Sequence, residues 1–400
     1  MLPAAAAVAV ALHAPATAQS AQSPGLALGG YVRSLTAMQD LGYDAGLADR
    51  RSVFHGEVVR LKWMMSAGEQ LRLTVHNRLQ AQVTSTAQGF GTGVVGFGVS
   101  AVPDRTVSLS TTIFEEDRFR VVHDIDRLAL DIYTDAVDVT LGRQAISWGI
   151  SNLFPVADLW TQFSPFELDT EEKRGIDAVR ALAYPTSGVE LDMVVADRGT
   201  LRDLSGGARA TIELPWADVY IGGGKFWRRL MALGGASIVF DTWKLRGEIG
   251  IPFHLDSTNT EPIRATVGVD QLGADYQISV EYHHNGLGTN DASEYIARVT
   301  APAFQRGETY FLGRHYLGAN GNYLATDRLS FSLSLIANLG DPSTTISPVA
   351  TYDMGQHTRL SAGGLIAAGK TPLLSLTPPQ LRSEFGAYGR LAYTRVSVFF

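Results

Sequence analysis

No cysteine occurs among the 400 residues, which excludes disulfide scaffolds, thiolate zinc sites, Fe–S clusters and cysteine nucleophiles. Charge is sparse: Asp, Glu, Lys and Arg together make 18 % of the chain, below the roughly 25 % of ordinary soluble domains. Basic residues are outnumbered 33 to 40, and a formal charge of −7 argues against nucleic acid as a partner, because phosphate binding needs a basic footprint. Past the N-terminus no apolar run is long enough for a membrane helix, so a helical membrane bundle is excluded too.

The first 18 residues read as an address rather than a fold. Met1 to Leu12 (MLPAAAAVAVAL) is a short apolar run, and Ala16, Thr17 and Ala18 fit the small-x-small signal-peptidase pattern, placing cleavage after Ala18. No Lys or Arg precedes the run, a departure from the usual leader. A buried N-terminal helix is the alternative, but nothing amphipathic follows. Residues 19–400 are expected to form one exported domain.

What fills that domain is alternation. Leu71, Leu73 and Val75 interleave with Arg72, Thr74 and His76; Val189, Leu191, Met193 and Val195 enclose Glu190 and Asp192. Tyr276, Ile278, Val280 and Tyr282 alternate with Gln277, Ser279 and Glu281, while Leu329, Phe331, Leu333 and Leu335 alternate with serines. Side chains along a strand point to opposite faces, so each stretch has an oily and a wet side. The chain is all-β.

A secreted soluble sandwich would alternate as well, so strand length and loop pattern decide. About 18 strands are expected (16 to 18), many near the ten residues that a tilted strand needs to cross a bilayer. One set of connections is tight: 66–69, 135, 185–187, 215–216, 241–242, 271–273, 320–326 and 354–356. The alternate set holds nearly all the long ones: 39–52, 84–124, 147–176, 252–261, 285–309 and 369–384. Long loops at one end and short turns at the other predict a transmembrane up-and-down antiparallel β-barrel. The lumen of such a barrel is too wide for side chains to fill.

The last expected strand, 385–400, reads FGAYGRLAYTRVSVFF, with Val396, Val398 and Phe400 on one face. Here the chain resembles the outer-membrane barrels of Gram-negative bacteria. That resemblance implies outer-membrane lipids as surroundings and recognition of the strand ending at Phe400 by the barrel assembly machinery. The Gly142–Arg143–Gln144 and Trp148–Gly149 element is similar to a porin-like group within that class. The resemblance implies passive diffusion of small hydrophilic solutes through a water-filled lumen constricted by the third outer loop, and homotrimers, as in many porins.

With the oily face toward lipid, Arg60, Lys62, Arg72, His76, Arg78, Arg180, Arg246, Arg264, Asp138 and Glu190 point inward as candidate pore-lining residues. Each is also explained as a solvated or cross-paired wall charge, and the mixture of signs gives no clear ion preference. In the loop 147–176, Trp148, Phe154, Leu159, Trp160, Phe163 and Phe166 are apolar anchors. Its Asp158, Glu167, Asp169, Glu171 and Glu172 are expected to face a basic wall across the constriction. The alternative for this loop is a cap over the rim.

Other motifs carry less. The GTGVVG run at 91–96 has the form of a dinucleotide fingerprint but lacks the strand before and helix after it. His283 and His284 are adjacent on a strand and so face opposite ways, a poor chelating pair. No histidine sits in a serine-hydrolase elbow. No catalytic residue, metal or cofactor is expected. A substrate-specific channel, for carbohydrate for instance, is the alternative to a general porin, ahead of a blocked structural barrel or a barrel hydrolase.

Overall fold

The computed structural model describes residues 25–43, 50–85, 105–253, 262–375 and 379–400. The expected leader and the glycine motif at 91–96 lie outside those residues. The first six strands are β1 (Leu26–Asp40), β2 (Arg51–Ala67), β3 (Leu71–Thr84), β4 (Ser110–Glu116), β5 (Phe119–Ile132) and β6 (Val137–Gln144). Next come β7 (Ile176–Thr186), β8 (Val189–Ala196), β9 (Ser205–Leu214), β10 (Ala217–Phe226), β11 (Arg229–Phe240), β12 (Trp243–Phe253) and β13 (Arg264–Leu272). The chain finishes with β14 (Tyr276–Asn285), β15 (His315–Thr326), β16 (Leu329–Asn338), β17 (Ser343–Asp353), β18 (Thr358–Ala368) and β19 (Arg390–Phe399).

All strand pairs are antiparallel neighbours, and β1 bonds to both β2 and β19, which closes the sheet. Closure leaves no unpaired edge in the hydrocarbon. Eighteen strands form the barrel, because β4 bonds only to the outer half of β5, while β6 takes the same flank of β5 lower down. The alternation read from the sequence gives the faces: Met193, Val195, Leu245, Ile249, Ile278, Phe331 and Leu333 are exposed on the outside. Asp192, Arg246, Glu248, Ser279 and Glu281 are buried on the inside.

Three expectations change. Residues 320–326, expected as a turn, continue β15, because Asn320, Gly321 and Asn322 keep partners on both β14 and β16. The last strand begins at Arg390 instead of 385, since residues 385–387 form a single 3₁₀ turn inside the outer loop. The connection expected at 84–124 is broken by β4 and ends at Arg118, because β5 starts at Phe119 and pairs there with both β3 and β4.

The core lies inside the barrel mouth. Residues 145–175, 286–314, 369–375 and 379–389 fold inward and meet Tyr316 of β15 in an aromatic cluster with Phe154, Phe166, Phe311, Phe385 and Tyr388. The middle segment carries two short helices, α1 (Tyr295–Val299) and α2 (Pro302–Gln305).

Candidate functional site

The segment 145–175 joins β6 to β7 and crosses the interior. Its far side is held by carboxylates on the opposite wall. Glu248 of β12 accepts the backbone N–H groups of Ile150, Ser151, Val156 and Ala157, the last two at 2.9 and 3.0 Å. Glu281 of β14 accepts those of Asn152, Leu153 and Phe154 at 2.6, 3.0 and 3.1 Å. A loop lacks the internal ladder of a helix or strand, so its buried N–H groups need acceptors from elsewhere, and two wall carboxylates supply them. Arg246 lies between Asp270 at 2.6 Å and Glu281 at 2.8 Å and is itself only 5 % exposed.

Aromatic anchors fix the near side. Trp148 and Trp160 meet edge to face at 5.0 Å and pack on Phe226. The Trp148 indole N–H donates to Asp192 at 2.7 Å, and Arg180 grips the same carboxylate at 2.8 and 3.0 Å. Arg209 donates to the Trp148 carbonyl at 3.0 Å, and its guanidinium lies 3.4 Å from Glu190. Glycines in the wall make the seats. A Cβ on Gly318 would come within 2.6 Å of Phe154 and Leu153 side chains, and one on Gly207 within 3.2 Å of Trp148.

The third sector faces β1, β2, β3 and β19. Arg33 of β1 binds Asp169 and, at 3.3 Å, Glu171; Lys62 binds Glu172; Arg395 donates to the Leu168 carbonyl at 2.8 Å. Burial works to raise the Asp169 carboxyl, but Arg33, with Arg78 behind it, outweighs burial and holds it below the ordinary carboxylate range. Glu172 is likewise lowered, Lys62 outweighing burial. Between this part of the loop and the wall lies a cavity of about 390 Å³. Arg33, Arg78, Arg120, Arg174 and Arg395 line it, against Glu167 and Asp169. Arg78 and Arg174 have no acidic partner within ion-pair distance among the described residues.

The expected pore-lining residues thus divide by environment. Arg60, 3 % exposed, is locked on Asp126 by two hydrogen bonds of 2.9 and 2.7 Å. Arg264, also buried, donates to the Glu308 carbonyl at 2.8 Å. His76 is half-buried beside Arg60. Arg72 is exposed near the short-turn end, its guanidinium 5.3 Å over the Tyr133 ring, and Asp138 is half-buried near the same end. Among the loop acids, Asp158 departs from expectation: it pairs with Lys173 of the same loop and accepts the Trp148 N–H at 3.3 Å, so it braces the loop internally instead of facing a basic wall. Its burial raises the carboxyl, with Lys173 opposing.

Two residues central to this sector carry no clear signal in the sequence. Arg33 sits in a strand whose outward positions, Ser34 and Thr36, are polar, so alternation is faint there. Asp126 is the extra residue of a bulge: His76 pairs with Arg127 and Asn77 with Ile125. That irregularity lets the adjacent Asp126 and Arg127 both face inward, which strict alternation forbids, and leaves Asp126 against Arg60. His283 points inward, stacked 5.1 Å from Phe154, while His284 meets His315 at 5.0 Å.

No protein-family model and no curated protein sequence matches the chain. Solved structures do. Acinetobacter baumannii OccAB2 superposes with a TM-score of 0.60 at 10 % identity, over 94 % of this chain and 98 % of that one. Pseudomonas aeruginosa OpdQ gives 0.57 at 8 % identity, with the same coverage. A BenF-like porin from Pseudomonas fluorescens Pf-5 gives 0.56 at 9 %, again over 94 % and 98 %. The likeness spans nearly the whole of each chain, and the protein has the 18-stranded barrel fold of these porins.

Proposed function

We propose that the chain is a Gram-negative outer-membrane channel, not an enzyme, that passes small hydrophilic solutes by diffusion and favours anions. One observation carries the reading: the cavity between the inward-folded loop and the β1–β2–β3–β19 wall is bounded by five arginines and two carboxylates, one of which is already held by Arg33. A confined opening with low-dielectric walls concentrates the counter-ion of its lining charge. Arg78 and Arg174 supply that charge most directly, with Lys62, His76, Arg72, Asp138 and Glu190 along the remaining wall; Arg60, Arg180, Arg246 and Arg264 act by holding structure. Asp169, Glu171 and Glu172 set how closely the loop approaches the wall, and Glu167 borders the cavity.

Export by the leader, insertion through the C-terminal strand and assembly as a homo-oligomer in outer-membrane lipid belong to the same reading. The carbohydrate alternative is less well supported, because Trp148 and Trp160 are buried and present no ring face to a sugar. Single-channel recording in planar bilayers tests the reading. Conductance with an anion-selective reversal potential is expected, weakened by Arg78→Gln with Arg174→Gln, and a larger conductance on deletion of residues 150–172. A silent protein, or a cation-selective one, refutes it.

A further inference from the structure

One sector of the lipid-facing surface is polar. On β2, Phe54, Gly56 and Val58 line the interior cavity, so His55 and Glu57 point outward, 38 % and 43 % exposed. Their side chains lie 3.1 Å apart, and the His55 Nδ1 is 2.8 Å from the Thr36 hydroxyl. Ser34 stands opposite Glu57 in the β1–β2 register, and Thr394 of β19 stands opposite Thr36.

The depth of the pair matters most. At the outer end of the same face, Arg51, Asp40 and Arg390 form one cross-strand row of charges, which marks the headgroup level. At the inner end, Trp63 is exposed among Leu61 and Met65, where an aromatic girdle belongs. Glu57 is six residues from Arg51 and six from Trp63. With a rise of about 3.3 Å per residue and a tilt near 40°, that puts it roughly 15 Å from either level, at the centre of the hydrocarbon. Lipid headgroups do not reach there, and acyl chains offer neither charge nor hydrogen bond.

We propose that a second copy of this chain covers the β19–β1–β2 face and buries His55 and Glu57 between barrels. The pair suits a like partner: each copy presents an imidazole and a carboxylate two positions apart on one strand, so a symmetry-related copy sets acceptor against donor. Small neighbours permit close approach, with Ser34 and Thr36 on β1, Ala81 opposite Glu57 on β3, and Thr394 on β19. Beside them the outer surface sinks into an apolar depression of about 960 Å³ floored by Ala350, Ala362, Gly364 and Ala392, room for the larger side chains of a facing barrel. The inference rests on the homo-oligomer reading above and adds to it the face and the residues.

The absence of cysteine makes the test clean. Ser34→Cys and, separately, Val267→Cys, which lies outward on β13, are oxidised in native outer-membrane vesicles. Ser34→Cys is expected to give a disulfide-linked species of twice the monomer mass, and Val267→Cys none. Glu57→Ala is expected to lower the oligomeric fraction at least tenfold in native mass spectrometry while heat-modifiability shows the barrel still closed. Oligomers that cross-link only through Val267→Cys overturn the assigned face and leave the homo-oligomer standing. A monomer that never cross-links overturns both. A Ser34→Cys disulfide to a different protein, or oligomers unmoved by Glu57→Ala, also overturns the assignment.

Discussion

Replacing Glu248 by Gln should loosen the inward loop without opening the barrel. The carboxylate holds Ile150 and Ser151 through one oxygen and Val156 and Ala157 through the other, so it closes residues 150–157 into a clamped turn. An amide keeps one acceptor oxygen and turns an NH₂ toward the other pair of N–H groups. Two buried donors lose their acceptor at about 1–3 kcal/mol each. The surviving pair falls from charge-assisted to neutral strength, while relief from burying a charge returns part of the loss. The net is about 2–4 kcal/mol against the docked loop, or roughly 30- to 900-fold in its opening equilibrium. The sheet hydrogen bonds of β12 are untouched, so the heat-modification temperature should barely move. Hydrogen exchange over 148–158 should speed up by that factor, and single-channel traces should gain fluctuations between two conductance levels. Wild-type protection and a steady trace in Glu248→Gln would refute the view that this carboxylate clamps the constriction.

Gly318→Ala places a methyl group within 2.6 Å of Phe154 and Leu153; overpacking of about 1–3 kcal/mol should displace the loop tip and raise conductance, whereas an unchanged current would show that the seat gives way. Asp126→Asn leaves the buried Arg60 without its counter-charge, and a loss of about 3–5 kcal/mol should appear as a lower heat-modification temperature. Asp169 and Glu172 are both depressed; their contribution is full above the ordinary carboxylate pKa of about 4 and fades as pH falls through the lowered values, so conductance should rise only below about pH 4. Glu384 behaves in the opposite sense. Burial pushes it up to about 7, helped by Asp341 and opposed by its bonds from Tyr316, the Leu312 N–H and Asn338. It ties the segments 286–314 and 379–389 to β15 and β16, with Tyr295 bonded to Asp341 alongside. Stability gained there is full below about pH 4.5 and declines as pH rises toward 7, so protection factors in these segments, after correction for the base-catalysed intrinsic rate, should fall over that interval in wild type and stay level in Glu384→Gln.

The barrel itself was legible because its cause is local and repetitive. A strand has two faces, and Leu245 to Ile249 or Tyr276 to Tyr282 state theirs by composition alone. Strand β4 was not legible: its seven residues lie in a long connection and bond only to the upper part of β5. The stretch 320–322 looked like a turn by composition, yet pairing on both sides kept it extended, the real reversal falling at Asp327 and Arg328. The sequence marks the loop acids as a group but not their partners. Arg33 and Asp169 are 136 positions apart, and nothing local distinguishes their pairing from that of Asp158 with Lys173, only 15 apart.

Alternation, turn spacing and loop asymmetry are short-range properties, so the sequence by itself determined an all-β chain, its inward and outward faces and a membrane-crossing barrel. Which loop enters the interior, which wall carboxylates receive its N–H groups and which arginines stay without an acid partner among the described residues were decided only when closure brought β1 against β19 and set β12 and β14 across from residues 150–157. Burial and electrostatic pairing depend on distance in space, and a closed sheet makes neighbours of residues that the chain keeps far apart.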